Sequence, residues 1–96
     1  MSLTKIAEKF VINKLKFIKN GNLELINYDG QVFQFGDLSS ALSADIKVDN
    51  PKFYLNIILG GSSALGEAHM NKDFYSKNLT NLIELAARNI NLVYKF

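Results

Sequence analysis

The chain has no cysteine and no tryptophan, and only one proline, one histidine and one arginine in 96 residues. Without cysteine there is no disulfide and no thiolate metal ligand, a composition compatible with the cytosol. Arginine is the usual residue for bidentate phosphate or base contacts, and Arg88 is the single example. With no aromatic stacking platform beside the N-terminal lysines either, nucleic acid is not expected as a partner. No apolar run approaches the roughly 18 residues that span a bilayer. Lysines interrupt the apolar positions at the N-terminus, which does not fit a signal peptide. A G-x-G-x-x-G turn and a Walker loop are both missing.

What is present fits one globular domain over residues 1–96, with 48% hydrophobic and 21% charged residues. The net charge of +2 is unevenly placed. Lys5, Lys9, Lys14, Lys16 and Lys19 stand against Glu8 alone in the first twenty residues, leaving the remainder slightly acidic. That asymmetry bears on partners more than the total does.

Apolar spacing predicts an amphipathic helix over residues 4–19. At about 100° per residue, Leu3, Ile6, Ala7, Phe10, Val11, Leu15, Phe17 and Ile18 share one half of its wheel. Lys5, Lys9 and Lys16 lie opposite, Lys14 intrudes on the apolar half and Ile12 on the polar half. Asn20-Gly21 stops the helix, with glycine expected in the left-handed conformation. Alternation over Asn22–Asn27 and Gln31–Phe35 around Tyr28-Asp29-Gly30 predicts a hairpin, and Ala44–Val48 a third strand. Asn50-Pro51 opens a second helix that Gly60-Gly61 ends. Ser62 or Ser63 caps a short helix to about Met70, Lys72–Tyr75 is a turn or short strand, and Asn78 or Thr80 opens the last helix. Residues 91–96 read as an added strand or the start of a linker. The order gives an α+β domain, a small antiparallel sheet covered by an N-terminal amphipathic helix and later helices. Phe10, Phe17, Phe33, Phe35, Phe53, Tyr54, Ile57, Ile58, Leu65, Met70 and Phe74 are expected mostly in its core.

The densest cluster of informative residues is Gly60–Phe74, with three glycines, Glu67 and His69. Ser62 and Ser63 with His69 form no hydrolase pattern; helix capping is the expected role of the serines. Two apart on a helix, Glu67 and His69 diverge by about 200°, which argues against a shared metal. Glu67 reads as a carboxylate accepting backbone N–H bonds in the glycine-rich turn, or as a contact to a catalytic domain or lipid headgroup. The lysines of the first helix read as its solvated face or as a membrane-surface element.

Gly21-Asn22-Leu23-Glu24-Leu25, Asp29-Gly30, Phe35-Gly36, Ala44–Val48, Asp49–Phe53, Gly60-Gly61-Ser62 and Leu65-Gly66-Glu67-Ala68 with Met70 together resemble the N-terminal domain of the cyclopropane-fatty-acyl-phospholipid synthase family. The likeness covers about residues 21–90. It departs where the family has tyrosine at His69 and aspartate–glycine–tryptophan at Asn71-Lys72-Asp73, so the tight turn after Met70 is expected to be altered. The element order is also similar to the sterol-carrier-protein fold, a fold-level analogy.

The resemblance implies a non-catalytic accessory domain whose family uses S-adenosylmethionine in a separate methyltransferase domain. The chain itself is expected to hold no catalytic residues, cofactor or metal. It is expected in the cytoplasm, peripheral at the inner face of the membrane. Partners under this reading are a phospholipid or membrane surface, a methyltransferase domain in cis or trans, or a second copy. The alternatives are a docking or dimerisation module without lipid binding, and a free-standing small lipid carrier. Contact residues are expected at Lys5, Lys9, Lys16, Phe53, Ile57, Gly60, Gly61, Leu65, Gly66, Glu67, His69 and Met70.

Overall fold

Ser2 caps the first helix, its hydroxyl accepting from the Lys5 N–H at 3.2 Å. In the computed structural model, which describes residues 2–60 and 68–94, that helix is α1, Leu3–Leu15. The strands β1 (Asn22–Ile26), β2 (Val32–Gly36) and β3 (Ser43–Val48) follow, then α2 (Lys52–Gly60), β4 (Phe74–Tyr75), α3 (Leu79–Arg88) and α4 (Ile90–Tyr94). The α+β class and the hairpin are as the sequence indicates, β1 pairing antiparallel with β2 in the register Leu23↔Phe35 and Leu25↔Phe33. Gly30 takes φ +88° in the connecting turn.

The sheet is mixed rather than wholly antiparallel. Its order is β2-β1-β3-β4, with β1 and β3 parallel in the register Leu23↔Ala44 and Leu25↔Ile46. The chain leaving β2 must therefore cross the start of β1 to reach its other side. Residues of this crossover are pinned to β1 by Asp37 N–H to Gly21 O (3.0 Å) and Asn22 N–H to Leu42 O (3.0 Å). The Asn22 side-chain amide also donates to Asp37 O and Ser40 O, so a buried polar side chain is satisfied by the loop it holds. Asp37 folds the loop back by accepting from the Ser39 hydroxyl (2.7 Å) and N–H (2.9 Å), and these two bonds hold its carboxyl below the ordinary aspartate value.

One face of the sheet carries the core. Leu23, Leu25, Phe35, Ala44, Ile46 and Val48 are buried there with Ala7 and Val11 of α1, Phe53, Tyr54 and Ile57 of α2, and Leu82 and Leu85 of α3. The opposite face presents Glu24, Gln34, Lys47 and Tyr75. β4 pairs with β3 only at Lys47 and Val48. The rest of that edge is closed from the α3 side, where Asn81 donates to Ser43 O (3.1 Å) and Lys77 N–H donates to the Asp45 carboxylate (3.1 Å).

Two local expectations need correction. Asn20, not Gly21, takes the left-handed conformation (φ 61°). Gly21 is required for space instead, since a Cβ would lie 2.5 Å from Leu85 Cδ1 and 3.2 Å from Leu42 O. In the turn after Met70, Lys72 takes the left-handed conformation (φ 60°). The segment from Ile90 is the helix α4, not a strand: Asn89 ends α3, and Leu92 N–H bonds back to Asn89 O at 2.9 Å.

Candidate functional site

The outward side of α1 is the surface that departs most from a plain solvated helix. Leu3, Ile6, Phe10 and Phe17 are 63%, 51%, 41% and 66% exposed. Spaced three, four and seven apart, they form one line along the helix and the turn that continues it. Ala7 and Val11 face the core, with Ile12 and Leu15 partly buried against it. Lys5, Lys9 and Lys16 are exposed, as the sequence reading expects, on the flank at about 140–180° on the wheel, against about 240–300° for the apolar line. Lys14, at the other flank, sets its ammonium 5.7 Å from the Phe10 ring centroid.

The expected wheel is thus rotated. Half of its apolar side faces outward, and Ile12, assigned to the polar side, faces inward. The rotation is set by polar contacts that hydrophobic periodicity does not register. Glu8 turns inward, accepting from the Tyr28 hydroxyl (2.7 Å) and the Asn27 amide (3.0 Å). Asn27 Oδ1 in turn accepts from the fully buried Tyr54 hydroxyl (2.6 Å) and the Tyr28 N–H (3.0 Å). Every member of this chain is partnered, so it fixes α1 against the hairpin turn and α2 without a buried polar deficit. Lys5 lies 3.9 Å from Glu8 and 5.5 Å from the Tyr28 ring centroid. Its pKa is raised, first by the Tyr28 hydroxyl and then by Glu8, so it stays cationic through the physiological range.

The only acid of α1 therefore points to the hairpin turn, paired there with Lys5, and the other charges that α1 carries are lysines. Burial pushes the Tyr54 phenol above its ordinary value, with the Glu8 charge adding to the shift. A phenol that holds its proton more tightly in the folded state contributes stability below pH about 10 and loses it as pH rises further. Tyr54→Phe should cost about 1–2 kcal/mol at neutral pH, from the lost hydrogen bond to Asn27. It should also flatten the alkaline loss of stability relative to wild type, read by urea titrations from pH 8 to 11.

The other expected contact residues divide. Phe53 and Ile57 are core residues, Phe53 packing edge-on against Tyr54 and Phe74 at 5.5 and 5.4 Å, and neither is presented to a partner. Phe74 is likewise buried in the core. Gly60 and His69 are exposed and Met70 is 81% exposed, with the His69 ring tilted on Phe74 at 5.8 Å. Phe10, Phe17 and Met70 thus leave the expected core. Gly61, Leu65, Gly66 and Glu67, with the capping serines, lie outside the described residues. Of the apolar line, the sequence places Phe10 and Phe17 in the expected core and Leu3 and Ile6 on the apolar half of the helix. Among the described residues no group of three or more His, Asp or Glu could hold a metal, and no helix is long and apolar enough to cross a membrane. No protein-family model matches this chain, and neither a curated protein nor a solved structure matches it.

Proposed function

We propose that this domain attaches to anionic lipid surfaces through the outward side of α1. The observation that carries the reading is the line Leu3, Ile6, Phe10 and Phe17 standing exposed beside Lys5, Lys9 and Lys16, with Glu8 turned away. A helix of this kind lies in the headgroup region, its apolar residues entering the acyl boundary and its lysines meeting anionic headgroups. Each such lysine contributes about 1 kcal/mol near an anionic leaflet. The charge also argues against a second copy on this face, since two copies would bring lysines against lysines. The likeness to the synthase family supports a lipid setting, in which the domain seats a separate methyltransferase domain on its phospholipid substrate.

Sedimentation with phosphatidylglycerol vesicles at low salt tests the attachment. Replacing Lys5, Lys9 and Lys16 together by glutamate should lower partitioning at least about 100-fold, from lost attraction plus added repulsion. Wild-type partitioning should itself weaken as salt is raised, because exposed charges are screened beyond about 8–10 Å at 0.1–0.15 M ionic strength. Equal partitioning of wild type and variant would sink the reading.

A further inference from the structure

We propose that two copies of this chain pair antiparallel through the outer edges of their β2 strands, about a two-fold axis at Gln34, to make one continuous sheet. Among the described residues β2 is the end strand of the sheet, with β1 on one side and no strand on the other. The bonds Asn27 N–H to Gln31 O and Asp37 N–H to Gly21 O bracket the β1–β2 ladder. Antiparallel alternation then directs the main-chain groups of Phe33 and Phe35 toward β1 and those of Val32, Gln34 and Gly36 outward.

This edge lacks two of the devices that keep strands apart, charge and proline. Residues 30–36, Gly-Gln-Val-Phe-Gln-Phe-Gly, hold no charge and no proline, whereas on the far side of the sheet β3 is met by the two-residue β4 and by bonds from Lys77 and Asn81. A second copy is the occupant because the segment is its own complement. With Gln34 opposite Gln34 of the second copy, Phe33 faces Phe35 and Val32 faces Gly36, where the strand ends, and no like charges meet within the strand. The Phe33 and Phe35 rings already stack at 6.1 Å, 7° from parallel, with Phe33 half-buried at the rim of the core. Directly opposed residues point to the same side of a sheet, so both helical layers would lie on one side of the joined sheet.

Sedimentation equilibrium on the full chain tests this without lipid, and so independently of the α1 reading. Wild type should sediment at twice its 10.8 kDa mass at tens of micromolar by order of magnitude, as expected for a modest interface. Gln34→Lys should sediment as a monomer, because it opposes two lysines at the axis. It should stay folded, because the new ammonium lies beside Glu24, to which Gln34 now donates at 3.0 Å. Gln34→Pro removes an outward N–H and should also be monomeric. In this cysteine-free chain, Gln34→Cys should give a disulfide-linked dimer on oxidation, the opposed Cα atoms being about 5.5 Å apart. A wild-type chain that stays monomeric to millimolar concentration would overturn the proposal, as would a dimer that both Gln34→Lys and Gln34→Pro leave intact.

Discussion

Gly36→Ala should destabilise the fold by about 2–5 kcal/mol, from strain at a left-handed position plus overpacking. Gly36 closes β2 at φ +83°, where the chain turns to cross the start of β1. A Cβ there would collide with the carbonyl oxygen of Gly21 and lie 3.2 Å from Asn22 Cα. Both are backbone atoms of the β1 entry, and the same carbonyl accepts the Asp37 N–H that holds the crossover. Moving them aside disturbs the Asn22↔Gly36 pairing of β1 with β2 and the bond that holds the crossover. A domain of this length has about 5–14 kcal/mol to lose, so the substitution would remove a large share of it. Gly30→Ala separates strain from collision: Gly30 also has positive φ (+88°), but nothing lies within 4 Å of its added Cβ. Its cost should be about 1–2 kcal/mol. Urea unfolding followed by circular dichroism reads both, with the midpoint falling and the slope unchanged for a purely native-state effect.

Phe10→Ser combined with Phe17→Ser should weaken binding to anionic vesicles about 30–100-fold while leaving the fold nearly as stable as wild type. Half-burying a phenylalanine in the acyl boundary is worth about 1–1.5 kcal/mol, and two rings together give that factor. Stability should hold because Phe17 is 66% exposed and Phe10 41% exposed, so neither is a core residue. Phe10 loses its contact with the Lys14 ammonium. Val11→Ala makes the converse control: Val11 is buried in the core, so the variant should lose stability and retain lipid binding. Vesicle sedimentation read beside urea midpoints separates the two effects.

Much of the fold was legible because its signals are local. Alternation around Asp29-Gly30 gives the hairpin, Asn50 caps α2 by accepting from Lys52 N–H at 3.0 Å, and Asn78 caps α3 by accepting from Asn81 N–H at 3.0 Å. The parallel neighbour of β1 was not legible, because strand order depends on how the crossover from Gly36 to Leu42 passes β1, which no periodicity encodes. Asn20 and Lys72 in left-handed conformations were missed because glycine is the default expectation there. The side of α1 that meets solvent was misassigned for a physical reason. Glu8, Asn27, Tyr28 and Tyr54 fix the rotation of the helix through hydrogen bonds between residues up to 27 apart in sequence.

The absence of tryptophan makes the central claim directly measurable. Phe17→Trp places a single reporter on the α1 line, and Tyr75→Trp places one on the sheet face away from the helices, where Tyr75 is 57% exposed. Each variant is titrated with phosphatidylglycerol vesicles carrying bromine on the acyl chains. The tryptophan at position 17 should shift to the blue and be quenched, while the one at position 75 stays unshifted and bright. Two unquenched reporters, or two equally quenched, would contradict attachment through α1.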